Sequence, residues 1–170
     1  LIEELRKARI ASGTAGLAEA LADAGTLEAV NKEQVLIEQN GTDNEIFFIV
    51  SGTCRIFVNG KEVAKRTAGD TIGEMATVSP IQKRSATVVA DADCVVLKIS
   101  EVAFSEIATQ FPDVWRRVAQ DIARRLEQRN SLIREPNDKV RVFVISSAEA
   151  LHVARSIENA FAYDSFATIV

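Results

Sequence analysis

Glu74 and Arg84 stand ten positions apart, with Gly73 before the first and Ser85-Ala86 after the second. At neutral pH a glutamate is an acceptor only, which suits a sugar hydroxyl, whereas a guanidinium can donate two parallel hydrogen bonds to phosphate oxygens. Gly73 permits a tight turn, and a short helical turn over Glu74 to Val78 leaves backbone N–H groups to face an anion. These residues together read as a cradle for a cyclic ribose phosphate. The bland alternative is a polar surface loop with a solvated Glu74–Arg84 ion pair worth well under about 1 kcal/mol. Other chemistry finds no support. Cys54 and Cys94 sit in apolar, strand-like segments without CxxC or Cys/His spacing, and His152, the single histidine, has no Ser or Cys nucleophile arranged with it. No catalytic residue and no metal ligand is expected.

The elements that must position this cradle follow from periodicity. Leu1 to Ile10 and Leu17 to Val30 are alanine-rich and apolar-periodic, and read as helices separated by Ala11-Ser12-Gly13-Thr14. From Gln34 the pattern changes to short β-type runs at 35–37, 46–50, 54–58, 62–64, 86–89 and 94–99, each bounded by turn residues. Asn59-Gly60 between two of them marks a two-residue hairpin, because both positions tolerate positive φ. Short strands at this spacing imply an antiparallel barrel or jelly-roll. Ser100 caps a helix from Glu101 to about Gln110, and Pro112 opens a longer one reaching about Ile133. On that helix Trp115, Val118, Ile122, Arg125, Arg129 and Leu132 recur at spacings of three and four, so they share one stripe.

Gly73-Glu74-x-Ala76 followed by Arg84-Ser85-Ala86-Thr87 resembles the phosphate-binding cassette of the cyclic-nucleotide-binding domain, found in catabolite-activator-type regulators, cyclic-nucleotide-dependent kinases and gated channels. The resemblance covers roughly residues 20–132. It implies that Ile72, Gly73, Glu74, Met75, Ala76, Arg84, Ser85 and Ala86 surround the ligand, and that the last helix lies over the base as a lid. It also implies a homodimer through that helix. The lid position falls near Arg129 and Asn130, with Arg125 one turn earlier. Arginines donate only, which suits a base edge carrying carbonyl oxygens, such as uracil or guanine. The same arginines also read as solvated, or as salt-bridged to Glu127 or Asp121.

Beyond a polar linker at 134–138 the chain changes character. Val140 to Ile145 reads as a buried strand, Ser146-Ser147 as a turn, Ala148 to Phe161 as an amphipathic helix and Phe166 to Val170 as a second strand. This is the opening of a βαβ unit, without the glycines of a dinucleotide fingerprint, the lysine of a P-loop or the basic helical pair of a helix-turn-helix. It looks like the start of a TIR-like domain. The combination resembles the cyclic-pyrimidine-activated (Pycsar) effectors of bacterial antiphage defence, which implies NAD as the substrate of a full-length protein and no NAD chemistry in this stretch alone.

With 170 residues, 47% of them apolar and 26% charged, the chain supports one good core and part of another. It begins at Leu1 and its single methionine is Met75, so a longer protein is expected. A net charge of −4 and a pI near 5.2 argue against a duplex-DNA partner. No apolar run of membrane-spanning length and no secretory signal is present, so a cytoplasmic location without a membrane partner is expected. The fold expected is mainly β plus α. Residues 1–138 form an antiparallel β-barrel sensor with flanking helices, and residues 139–170 the truncated βαβ start of an α/β effector domain. The function expected is a sensor of a 3′,5′-cyclic nucleotide, cyclic UMP favoured, that switches on a TIR-like NAD-degrading domain. The alternative is an activator-type transcription regulator responding to cyclic AMP or cyclic GMP.

Overall fold

The computed structural model describes residues 1–79, 81–130, 140–142, 147–161 and 167–169. Those residues divide into two compact units, Leu1–Arg129 and Asn130–Val170. In the first, helices α1 (Ile2–Lys7) and α2 (Leu17–Ala24) precede strands β1 (Thr26–Val30), β2 (Val35–Ile37), β3 (Ile46–Ser51), β4 (Thr53–Val58), β5 (Lys61–Thr67) and β6 (Thr71–Ile72). A single helical turn α3 (Met75–Val78), strands β7 (Thr87–Ala90) and β8 (Cys94–Ile99), and helices α4 (Glu101–Gln110) and α5 (Asp113–Asn130) follow.

The strands form two antiparallel sheets, β1-β8-β3-β6 and β2-β7-β4-β5. Successive side chains of a strand point to opposite faces, and β3 uses both. Phe47 and Ile49 enter the core between the sheets with Val30, Ile37, Cys54 and Val96, whereas Ile46 and Phe48 face the helices and pack with Leu5, Leu21, Leu97 and Phe104. A strand buried on both faces reads as a continuous apolar run, which is why Ile46 to Val50 stood out. Phe104 is fully buried and meets Trp115 edge-on, ring centroids 5.9 Å apart. Phe104→Ala would cost about 3–5 kcal/mol.

Two local expectations hold in detail. Asn59 and Gly60 both take positive φ, 51° and 75°, and close the β4–β5 hairpin. Ser100 caps α4, its side chain accepting from the Ala103 N–H at 3.2 Å. One expectation fails: the helix from Leu17 does not reach Val30. It ends at Ala24, Gly25 turns extended, and Thr26–Val30 becomes the edge strand β1 against β8, pairing Leu27 with Leu97. Leu27 and Val30 merely continue the three-and-four spacing of α2 past its glycine. The last helix runs Asp113–Asn130, and Leu132, Ile133 and the linker at 134–138 lie outside the described residues.

The second unit contains β9 (Val140–Val142), a turn of 3-10 helix at Ala148–Ala150, α6 (Leu151–Phe161) and β10 (Ala167–Ile169). β10 pairs parallel with β9, Ala167 opposite Val140. A parallel pair joined through a helix is a βαβ unit. Among the described residues, no helix is long and apolar enough to cross a membrane.

Candidate ligand-binding site

The short strand β6 delivers the chain to Gly73, which takes a φ of 82°. A Cβ there would stand 2.6 Å from Glu45 O and 2.8 Å from Arg84 Nη1, so both the left-handed turn and the close approach of Arg84 require glycine. α3 follows at once, its first turn closed by the Ala76 N–H on Gly73 O and the Thr77 hydroxyl on Glu74 O. This turn aims the Glu74 side chain inward, where only 6% of it is exposed.

Arg84 is held from several sides. Its backbone pairs with the Asn40–Gly41 segment, and its Nε and Nη2 donate to Asp43 Oδ2 at 2.8 and 2.6 Å. Nη2 also donates to Glu45 O at 2.7 Å and Nη1 to Gly73 O at 3.1 Å. Four of the five guanidinium N–H groups are thereby engaged, and the side chain is 4% exposed. Arg84 therefore supports the cassette as well as offering charge to it.

Glu74 meets α5. Arg125 Nη1 donates to Glu74 Oε1 at 2.6 Å, while Nη2 donates to Thr71 O at 2.7 Å and lies 2.5 Å from Asp121 Oδ2. Asp121, buried one turn before, also pairs with Arg124. The second carboxylate oxygen, Glu74 Oε2, is buried with no hydrogen-bond partner among the described residues. Burial pushes the Glu74 carboxyl above its ordinary range, against the opposing pull of the Arg125 charge. A buried acceptor left without a donor is costly, and a hydroxyl brought within hydrogen-bond distance would satisfy it.

These groups line one cavity of about 370 Å³. Ile72, Gly73, Glu74 and Met75 form one side with Ala76, and Arg84, Ser85 and Ala86 a second. Ile56, Val58 and Val63 supply an apolar wall, and Ile122, Leu126 and Arg129 close it from α5. The volume and mixed lining suit a small polar molecule with a flat apolar part. Arg125 lines the cavity too; three of its five guanidinium N–H groups face Glu74, Thr71 and Asp121, and its Nε is buried with no hydrogen-bond partner among the described residues. Of the two alternatives for this arginine, pairing with Asp121 is the one observed. Arg129 is exposed at the cavity edge; Asn130 ends the helix, exposed, and is not among the lining residues.

Sequence reasoning missed Asp43, Glu45, Thr71 and Arg66. The first three bind the cassette arginine and the α5 arginine through long-range contacts that no local pattern reveals. Arg66 did leave a signal, since it alternates with Ala64 on β5 and so faces inward. Burial, and next the Arg125 charge, pull its guanidinium below the ordinary value.

The description "Cyclic nucleotide-binding domain" belongs to the family whose sequence profile matches residues 27–111, half of the chain. The chain is 46% identical over 168 residues to the Pycsar effector protein BcPycTIR of Burkholderia cepacia, covering 99% of this chain and 55% of that protein. It is 43% identical over 166 residues to the Pycsar effector protein PaPycTIR of Pseudomonas aeruginosa, covering 98% and 54%. It thus spans about half the length of these curated relatives. A crystal structure of a cyclic nucleotide-binding domain from Methylobacillus flagellatus matches with a TM-score of 0.66 at 20% identity, over 78% of this chain and 79% of that one. Cassette, fold and profile agree, and the chain belongs to the cyclic nucleotide-binding domain family.

Proposed function

We propose that the chain senses a 3′,5′-cyclic nucleotide, cyclic UMP before others, and that occupancy switches on a following TIR-like domain that degrades NAD in antiphage defence. The observation that carries this reading is the unpartnered Glu74 Oε2 and the Arg84 guanidinium lining one cavity. The carboxylate takes the ribose 2′-OH, and Arg84 with the turn at Gly73 takes the phosphate. The preference for a carbonyl-bearing base rests on the donor-only arginines of the cavity. The effector half of the proposal is supported by the PycTIR names of the relatives and by the parallel β9–β10 pair around α6, which favours an α/β successor over a helix-turn-helix.

Signalling follows from the position of Glu74. A hydroxyl that bonds Glu74 changes the electrostatic partner of Arg125, and with it the anchor of α5 on the cassette. A ligand shifts such an equilibrium only through its differential affinity for the two states. We place the protein in the cytoplasm as a homodimer through α5. Of Val118, Ile122 and Leu126, the α5 side chains expected at that interface, Val118 is buried in the protein's own core and Ile122 packs against it, which leaves Leu126 exposed. Light scattering that reports a monomer at high micromolar concentration, with and without ligand, contradicts the dimer. NAD consumption by a longer chain carrying this sensor, measured with and without cyclic UMP, tests the effector half; consumption that ignores the nucleotide contradicts it.

A further inference from the structure

Asp121 occupies a position where helix periodicity calls for an apolar residue. Val114, Val118, Asp121 and Arg125 follow one another at spacings of four, three and four, so they share one face of α5. Both valines are fully buried, and Asp121 is 6% exposed. A carboxylate in such a place is costly unless cations meet it. Arg124 pairs with its Oδ1, and Arg125 Nη2 lies 2.5 Å from its Oδ2. The same Nη2 donates to Thr71 O at 2.7 Å, so this nitrogen faces Thr71 and Asp121, and only Nη1 reaches Glu74, at Oε1. An arginine that meets a carboxylate commonly closes on both of its oxygens with two parallel bonds. Here the guanidinium is divided between two carboxylates, and Glu74 Oε2 is left without a partner among the described residues.

We infer that Asp121 is a positioning residue of the ligand site: by holding Nη2 of Arg125 it keeps the guanidinium from closing on both oxygens of Glu74, and so leaves Oε2 to a hydroxyl of the ligand. This rests on the reading of the cavity as a cyclic-nucleotide site with Glu74 on the ribose 2′-OH. Asp121 acts through Arg125 rather than by contact, since Glu74 and Arg125 line the cavity and Asp121 does not. An acid at one helical position and a base four residues later meet on the same face, which places the Asp121 carboxylate beside the guanidinium it holds. Thr71 O accepts one N–H of Nη2. Without the Asp121 charge the second N–H turns to Glu74 Oε2, and both oxygens of Glu74 are then engaged by one arginine. A 2′-hydroxyl entering that cavity must compete with a charge-assisted bond, whereas a 2′-deoxy sugar, which brings no donor, loses nothing by the change. Asp121 therefore sets how strongly the site tells ribose from deoxyribose, whatever base the sugar carries.

The test is calorimetric titration of the wild type, Asp121→Ala, Asp121→Asn, Glu74→Ala and the double variant Glu74→Ala with Asp121→Asn, after thermal melting of each. The ligands are cyclic UMP and cyclic AMP, each with its 2′-deoxy counterpart. The wild type should bind a ribose form about tenfold or more tightly than its deoxy form, through a hydrogen bond to a charged acceptor. In Asp121→Ala that ratio should shrink to within about threefold, while affinity for the deoxy form stays within roughly twofold of the wild type. If Asp121→Ala does not fold, Asp121→Asn, equal in size and uncharged, must show the same narrowing. In the Glu74→Ala background, where Oε2 is gone, adding Asp121→Asn should leave the ratio unchanged. An undiminished ratio in the folded Asp121 variants, including equal weakening of ribose and deoxy forms, overturns the assignment while leaving Glu74 in its role. A wild type that binds ribose and deoxy forms alike removes Glu74 from the 2′-OH and the assignment with it. A wild type that binds no cyclic nucleotide overturns the sensor reading itself.

Discussion

Arg125 on α5 donates to Glu74 of the cassette at 2.6 Å, so the carboxylate whose other oxygen is left without a partner beside the cavity also anchors the helix that closes it. Both side chains are largely buried, at 15% and 6% exposure. Removing one partner of such a pair strands the other charge in a poorly solvated place, and that cost exceeds the value of the pair itself. Arg125→Ala should therefore lower unfolding stability by roughly 3 kcal/mol in urea titrations. Adding Glu74→Gln to that variant should restore part of the loss, since Glu74 then carries no uncompensated charge and Asp121 keeps its pairing with Arg124. A loss in Arg125→Ala under about 1 kcal/mol, unchanged by the second substitution, would show that the contact is incidental.

The pH dependence of stability should carry the mark of Glu74. Its folded carboxyl, raised by burial above the ordinary 4.5, keeps its proton more tightly than in the unfolded chain. The stability it contributes is thus fully present below the unfolded pKa and is lost as pH rises through the folded pKa. Urea midpoints from about pH 4.5 to about pH 8 should fall less in Glu74→Gln than in the wild type, after both are referred to the same starting pH. Parallel profiles would contradict the assignment of this shift to Glu74.

Arg84→Ala should weaken cyclic nucleotide binding by about 1.5–3 kcal/mol, roughly tenfold to over a hundredfold, through loss of a charge-assisted contact to phosphate. In the sequence this side chain reads as a donor to phosphate. Its bonds to Asp43, Glu45 O and Gly73 O add a second effect, a lowered melting temperature. Arg84→Lys should restore only part of the affinity, because a point charge does not reproduce the planar fork. Unchanged affinity in Arg84→Ala would remove Arg84 from the site.

What could be read from the chain was what local rules control. Asn59-Gly60 names its own turn, Ser100 its own cap, and the apolar runs of β3 and β8, bounded by turn residues, read as strands. Gly73-Glu74-x-Ala76 and Arg84-Ser85-Ala86 fall together on the cavity because one short stretch of chain carries both. β1 was hidden, since an edge strand with a single buried residue, Val30, leaves no strong alternation. β6, two residues long, leaves no pattern at all. The engagement of Arg84 by Asp43 spans 41 positions, and that of Arg125 by Glu74 spans 51. Only the folded chain brings them together, whereas Asp121 and Arg125, one helical turn apart, could be paired in advance.

Both cysteines should be inert in the native state. Cys54 is fully buried between the sheets, and burial together with the neighbouring Cys94 pushes its thiol up to about 12, so thiolate is scarce at neutral pH. Ellman's reagent should leave the folded protein unmodified over a period in which both thiols react completely in denaturant. Rapid native labelling would contradict the packing around Cys54 and Cys94.

The central claim is that this cavity is a sensor site for a cyclic pyrimidine nucleotide. Calorimetric titration of the wild-type protein with cyclic UMP, cyclic CMP, cyclic AMP and cyclic GMP tests it most directly. Cyclic UMP should bind tightest and cyclic AMP most weakly. Preferred binding of cyclic AMP would contradict the base assignment, and no heat with any of the four would contradict the sensor itself.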